Sequence, residues 1–265
     1  MFKIKKRTLI GYIFLLPFVL HFILFVVYPL FRTLSYSLTD FTLLTMKNNF
    51  VGLKNYQKLF SDDVFIKALK NTAYYVLIDG TGVVVFGLLM ALVLNLKRKG
   101  IGIFRTIYYL PVVVDWVIVS IVFMFIFEPN FGVANYVLKL LGMQSQQFLQ
   151  SPTQALPLIT FASIWKGVGY YAIFYLAALQ DVPEMLMEAA SIGSLKGFNQ
   201  FYIMTSGGPV RSTTTIMLYF YEQAFAYTNI GYGSAIAMIF TIFVLFFVLL
   251  QKLLLSRLKG ASGNN

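Results

Sequence analysis

Apolar residues in this chain form long continuous runs that are separated by shorter polar connections. A helix needs about 20 largely apolar residues to cross about 30 Å of hydrocarbon, and five runs reach this length. They cover about residues 9–31, 72–94, 103–127, 156–179 and 234–255. The alternation of apolar and polar residues that is typical of a membrane barrel is absent. The pattern therefore predicts an all-α fold, a polytopic membrane helical bundle with five full transmembrane helices.

The first apolar run has an alternative interpretation as a signal peptide, because basic residues precede it. A cleavable apolar region is about 7–15 residues long and ends at a small-residue cleavage site. Residues 9–31 form a longer run without an A-x-A end. The sequence favours a retained membrane helix, and the signal peptide stays the alternative.

Composition and charge agree with a membrane protein. Of the 265 residues, 58% are hydrophobic and 12% are charged, whereas soluble domains are about 45–50% apolar and about a quarter charged. The net charge of +11 comes from Lys and Arg residues that cluster at the ends of the apolar runs. This placement is typical of positive-inside topology and not of a phosphate-binding face. We therefore expect membrane lipid, and no nucleic acid, as a partner.

Several kinds of chemistry are excluded by what the sequence lacks. There is no Cys and a single His, His21, so neither a thiolate nor a paired-His metal site is expected. The phosphate-binding motif G-x-x-x-x-G-K-[ST] is absent, which indicates that the chain does not hydrolyse ATP. No Ser-His-Asp or paired-carboxylate constellation stands out. The sequence predicts no enzyme activity, no cofactor and no metal.

The distribution of cations predicts which ends face the cytoplasm. The N-tail (1–8), the turn at 96–102 and the C-tail (256–265) are rich in Lys and Arg, so all three are predicted to be cytoplasmic. Five crossings would place the two tails on opposite sides of the membrane. A sixth crossing between Ala190 and Ser234 would remove the conflict, yet that stretch holds no apolar run of about 18 residues.

Several segments carry a resemblance to a known family, among them "FVGLKNYQKLF", "FRTIYYLPVVV", "VPEMLMEAASI" and "FNQFYIMTSGGPVRSTTTIMLYFYEQAF". Over nearly its whole length the chain resembles the permease subunits of binding-protein-dependent ABC importers for carbohydrates, specifically the maltose-type first permease. The resemblance implies six membrane helices in the cell membrane and alternating-access transport of a sugar. It implies four kinds of partner: a second homologous permease subunit, two ATPase subunits, an extracytoplasmic substrate-binding protein and the sugar itself.

The chain departs from the family pattern after its EAA motif. The family's cytoplasmic loop carries E-A-A-x-x-D-G-A, and Glu188, Ala189 and Ala190 match its start. The chain then passes directly to a segment that resembles the outer end of the fifth membrane helix. About 30 residues are absent by this comparison, from a span of about 20 residues and the rest of the loop. The resemblance thus implies an internal deletion near Ser191–Gly193, which leaves open a working permease or a non-functional remnant.

The predicted cytoplasmic loop at 181–193 is the candidate contact with an ATPase. Pro183 suits the first turn of a helix, and Asp181 and Glu184 complement its positive end. Apolar side chains then share one face, which suits docking of the helix into a partner's groove. Packing on the chain's own bundle is the alternative. The candidate coupling residues are Pro183, Glu184, Met185, Leu186, Glu188, Ala189 and Ala190.

Ionisable residues within the apolar runs are the candidates for a transport path. Such groups are costly in a membrane and are functional hypotheses by default. Asp115, next to Trp116, and Lys166 are predicted to line the path, or else to pair structurally. An ion-coupled transporter with a relay of Asp79, Asp115 and Lys166 is a less favoured alternative. The family resemblance adds three substrate-facing candidates, which are Asn199, Gln200 and Tyr202.

Overall fold

A computed structural model of the chain describes residues 6–96, 100–178 and 198–262. The described residues form helices and no named strand, with one isolated antiparallel bridge between Thr39 and Phe50. The predicted all-α fold is confirmed. The predicted coupling residues between Pro183 and Ala190 lie outside the described residues.

Eleven α-helices are described, and they are numbered here in chain order. The first two, α1 (Lys6–Phe22) and α2 (Tyr28–Ser37), are joined by a π-helical turn at Ile23–Val27. The others are α3 (Lys54–Phe60), α4 (Asp63–Leu94), α5 (Ile101–Val113), α6 (Trp116–Ile126), α7 (Val133–Leu140), α8 (Ala155–Ala178), α9 (Asn199–Thr205), α10 (Ile216–Tyr221) and α11 (Ile230–Ser262).

The chain divides into two compact units. The first comprises Met1–Leu59 and Phe220–Leu245, and the second comprises Phe60–Tyr219 and Phe246–Asn265. In the first unit, the long N-terminal helix exposes most of its apolar side chains between Phe14 and Leu34, and the stretch Phe14–Ser37 has the length and apolarity of a membrane span. Such a helix requires a lipid environment.

The predicted spans agree with the helices to different degrees. Two described helices, Phe14–Ser37 and α4, are long and apolar enough to cross a membrane, and the pair α5–α6 adds a third if it counts as one span. Helix α8 begins within one residue of the predicted start at 156 and continues to Ala178, the last residue described before the gap. The helices at the first and last predicted spans are longer than the predicted runs, since the first is helical from Lys6, where the description begins, and α11 continues to Ser262. Residues 256–262 are therefore helical.

The prediction of one continuous helix over 103–127 is wrong. The chain there forms α5 and α6, which meet at a bend of 101°. Pro111 lies near the end of α5, and residues 114 and 115 are extended. The apolar run hid the break because hydropathy reports the solvent that a segment prefers, not the continuity of its helix.

Helices α4 and α8 form the centre of the second unit. Their surfaces approach closely at glycines: a Cβ atom on Gly87 would lie 2.8 Å from Tyr171 Cβ, and one on Gly167 would lie 2.7 Å from Val83 Cγ1. Small residues allow membrane helices to pack at such short distances. Polar side chains of α8 that face this interior, including Thr160 and Ser163, are buried.

The segment after the described gap is short but well packed. Helix α9 has seven residues, which span about 10 Å at 1.5 Å per residue, a third of the hydrocarbon thickness. Phe201 is fully buried, and its ring meets Tyr75 edge-on at a centroid distance of 4.8 Å. The loop that follows is tied to α4, because Asn71 Nδ2 donates to the backbone oxygens of Arg211 (3.2 Å) and Thr214 (2.9 Å). The truncated element is thus held against the bundle.

Candidate functional site

The candidate site lies in the second unit, where the membrane helix breaks between α5 and α6. Helix α5 ends at Val113, and α6 begins at Trp116 after the extended residue Asp115. A break frees carbonyl groups at one helix end and N–H groups at the other. At membrane depth these groups need partners within the protein or in a water-filled cavity.

Lys166 of α8 supplies the partner for the carbonyl end of the break. Its Nζ donates to the backbone oxygen of Pro111 at 2.7 Å and also to that of Val114. A cation at a helix C-terminus is also favoured by the partial negative charge of that end. The side chain is buried, so a charge that would be costly in the membrane is compensated by backbone groups that the bend leaves open.

Asp115 supplies the partner for the N–H end of the break. Its Oδ1 accepts from the backbone N–H of Val117 at 2.8 Å, which makes it the N-cap of α6. A carboxylate at a helix N-terminus is favoured by the positive end of the helix dipole. The charges of Asp115 and Lys166 also attract each other, and the Lys166 ammonium lies 5.1 Å from the centroid of the Trp116 ring. The structure therefore brings Asp115, Trp116 and Lys166 together.

A second polar group lies between α4, α8 and α9. The Tyr75 hydroxyl is 2.9 Å from Ser163 Oγ, and Gln200 Nε2 donates to the same hydroxyl at 2.7 Å. All three side chains are at least nine-tenths buried. Gln200 thus joins a buried network. Asn199 is exposed, and Tyr202 is 43% exposed and stacks on Phe198.

Residues of both polar groups line one cavity of about 560 Å³, but Gln200 is not among them. Its chemical character is mixed: hydroxyl, carboxylate and ammonium groups alternate with aromatic rings and valine side chains. Hydroxyl-rich ligands need hydrogen-bond groups of both kinds, and aromatic faces accept their C–H groups. The lining residues that matter here are Tyr75, Asp79, Asp115, Trp116, Ser163 and Lys166.

Sequence reasoning missed two of these lining residues, Tyr75 and Ser163. Tyr75 lies near the start of a predicted span, where aromatic residues are ordinary interfacial anchors. Ser163 is one of several small polar residues in α8 and carries no motif. The helical spacing of Tyr75 and Asp79, four residues apart on α4, places them on one face. In the sequence, this spacing is the indication that Tyr75 and Asp79 line the same side of α4.

Known proteins resemble this chain over most of its length. The probable ABC transporter permease protein YurN of Bacillus subtilis is 33% identical over 282 aligned positions, which cover 94% of this chain and 96% of YurN. The multiple sugar-binding transport system permease protein MsmF of Streptococcus mutans is 30% identical, with 88% and 91% covered. No family model matches the sequence.

A solved structure shares the fold. It is a bacterial alginate ABC transporter in complex with an alginate pentasaccharide-bound periplasmic protein. One of its chains aligns with a TM-score of 0.76 at 23% identity, and the match covers 92% of this chain and 93% of that one.

The alignments also measure what this chain lacks. Since 94% of its 265 residues is about 249, about 33 of the 282 positions aligned with YurN have no residue here. With MsmF, 88% is about 233 residues, and about 32 of 265 positions are empty. Both totals are close to the size of about 30 residues expected for the internal deletion, and its position near Ser191–Gly193 stays a prediction. With most of both sequences matched at 30% identity or more, the chain belongs to the family of ABC transporter permeases, multi-pass membrane proteins that transport and leave ATP hydrolysis to separate subunits.

Proposed function

We propose that this permease carries a sugar or sugar derivative across the cytoplasmic membrane by alternating access. The observation that carries the proposal is the cavity at the break between α5 and α6. Its hydroxyl groups from Tyr75 and Ser163 and its charged groups from Asp115 and Lys166 supply donors and acceptors, and Trp116 supplies an aromatic face. A multiple sugar system and an alginate transporter among the similar proteins support this substrate class.

The proposed assembly contains a second homologous permease subunit, two ATPase subunits and an extracytoplasmic substrate-binding protein. The sequence holds no phosphate-binding loop, so the energy for transport must come from other chains. The residues proposed to dock into the ATPase are Pro183, Glu184, Met185, Leu186, Glu188, Ala189 and Ala190. The N-terminus is proposed to be cytoplasmic, from the cluster of Lys and Arg residues that precedes the first span.

Uptake of radiolabelled neutral mono- and oligosaccharides tests the proposed substrate path. Tyr75→Phe removes only the hydroxyl group that links Ser163 and Gln200, so the fold is retained and one polar group of the cavity is lost. A neutral hydrogen bond contributes about 0.5–1.5 kcal/mol, which corresponds to a rise in KM of up to about tenfold. Tyr74→Phe is the matched control, since Tyr74 is the neighbouring residue and lies outside the cavity. Equal KM values for the two variants would exclude Tyr75 from the path.

The missing segment favours a second candidate, a remnant of a permease that no longer transports. About 33 aligned positions without a residue are enough for one membrane span and part of a loop. Purification of the chain with and without its ATPase subunits separates the two candidates. A working permease retains the ATPase through mild detergent extraction, whereas a remnant without a complete coupling loop does not.

The side of the membrane on which the C-terminus lies gives an independent test. The chain has no Cys, so Ser262→Cys can be labelled alone with a membrane-impermeant thiol reagent. Labelling only after the cells are opened would place the C-terminus inside and would require the segment 191–233 to cross or re-enter the membrane. Labelling of intact cells would leave an odd number of crossings, and the remnant would then be the better description.

A further inference from the structure

Helix α7 presents an apolar face that no described part of the chain covers. Val133, Tyr136 and Leu140 are exposed to 61%, 64% and 69%. With 3.6 residues per turn, these three side chains and Val137 fall within an arc of about 100°. The opposite side of the helix contacts the protein, and the charged residue Lys139 lies on its flank. The helix is therefore amphipathic, with its apolar face directed outward.

This orientation is fixed by Asn135 on the inner side of α7. Its amide nitrogen donates to the backbone oxygens of Pro129 (2.8 Å) and Gln146 (2.9 Å), and its amide oxygen accepts from the N–H of Gln146 at 2.8 Å. The side chain is 1% exposed. These three bonds hold the helix to the turn before it and to the segment after it. The apolar face cannot turn inward without breaking them.

The exposed face of α7 continues the apolar surface of α6. The pair α5–α6 is apolar enough to cross a membrane, and Phe125 of α6 points outward with 61% of its surface exposed. The Phe125 ring contacts the Phe131 ring at a centroid distance of 6.4 Å. The turn between the helices is tight, because the N–H of Gly132 donates to the backbone oxygen of Glu128 at 3.0 Å. The surface that faces lipid on α6 thus passes directly onto α7.

We infer that α7 is an interfacial helix, embedded by its outward face in the boundary between lipid headgroups and acyl chains. An apolar helix face of this kind is rare in contact with water, and amphipathic helices lie in membrane interfaces by burying such a face. Tyr136 suits this depth because its ring is apolar and its hydroxyl is polar. Lys139 on the flank can extend its ammonium toward lipid phosphates while its stem stays in apolar surroundings.

Site-directed spin labelling tests this placement without any reference to transport. Single variants Val137→Cys and Leu140→Cys probe the outward face, and Lys139→Cys is the matched control on the same helix. The full-length chain is reconstituted in vesicles of phosphatidylethanolamine and phosphatidylglycerol. The relaxation of each label is then measured with oxygen, which concentrates in lipid, and with a water-soluble nickel chelate.

The expected result is a ratio of oxygen to nickel accessibility that is severalfold higher at positions 137 and 140 than at 139. High nickel accessibility at all three positions would place the helix in water and overturn the inference. Low accessibility to both reagents at 137 and 140 would show that a protein surface covers the face, which also overturns it. Val133→Cys lies on the same face and repeats the measurement where one of the variants does not fold.

Discussion

Replacing Lys166 with Met tests whether this lysine stabilises the break between α5 and α6. Methionine keeps an unbranched apolar stem of similar size, so the packing against α5 changes little. The variant loses the two hydrogen bonds that Nζ donates to the Pro111 and Val114 oxygens and its contact with the Trp116 ring. It also leaves Asp115 without the opposite charge that attracts it.

The size of the effect follows from these losses. Hydrogen bonds from a charged group contribute about 1.5–3 kcal/mol each. Asp115 is exposed, so its attraction to Lys166 adds little, and the loss of the two hydrogen bonds should cost about 3–6 kcal/mol. At about 2–4 °C per kcal/mol for a chain of this size, the temperature of half unfolding should fall by about 6–24 °C.

The assay is loss of the monodisperse chromatographic peak after heating of the detergent-solubilised protein. Lys139→Met is the control, because Lys139 is exposed on α7 and surface substitutions change stability by about 0.5 kcal/mol or less. Asp115→Asn keeps a side chain that caps α6 well and should cost less than Lys166→Met. The double variant should cost less than the sum of the single variants, since both charges are then absent. A Lys166→Met protein as heat-resistant as Lys139→Met would refute the assignment.

Three further predictions concern positions outside the break. Gly87→Val should separate α4 from α8, because its Cβ would lie 2.8 Å from Tyr171 Cβ. The variant should unfold at a lower temperature in the same heating assay. Gly102→Val is the control, because a Cβ at Gly102 would meet open space. Asn71→Ala removes two donors to the loop after α9 and should cost about 1–3 kcal/mol, measurable as faster proteolysis of that loop. The Asn49 side-chain and backbone amides hold the pKa of Asp40 below its usual value. The ionised Asp40 therefore stabilises the fold above about pH 4, and this stabilisation is lost as the pH falls through the lower pKa of the folded state. A stability difference between wild type and Asp40→Asn that grows on acidification would contradict that sign.

Much of the helix content could be predicted from hydropathy alone. The start of α8 is predicted within one residue, because it coincides with the start of an apolar run. The start of α4 was missed by nine residues, since its first turns lie in a polar segment that Asp62 caps by accepting from the N–H groups of Val64 and Phe65. A window that counts apolar residues cannot register a cap. The clusters of Lys and Arg predict which ends of the chain face the cytoplasm, but they do not predict where helices begin, end or bend.

The candidate site was only half predictable for a related reason. Asp115 and Lys166 stood out because ionisable residues in a membrane need a compensating partner. Their actual partners are mostly backbone groups at a break that the apolar run conceals, so no pairing rule between side chains could find them. Pro111 and Asp115, four residues apart, were the available indication, because proline disfavours a continuing helix and Asp is a strong N-cap. Tyr75 and Ser163 depend on the packing of α4 against α8, which one sequence does not specify.

The position of α9 relates the missing segment to the cavity. Gln200 and Phe201, the second and third residues of α9, contact Tyr75 by a hydrogen bond and by an edge-on ring contact. Helix α4 also holds the loop after α9, because Asn71 donates a hydrogen bond to the backbone oxygen of Thr214 and Thr72 Oγ1 accepts one from the N–H of Ile216. These contacts come from residues that follow the departure from the family pattern. The residues of α9 therefore complete the polar network at the cavity, whereas the family resemblance implies that the absent segment lies toward the proposed ATPase contact. Loss of the latter would impair energy coupling before it impaired the binding of a ligand.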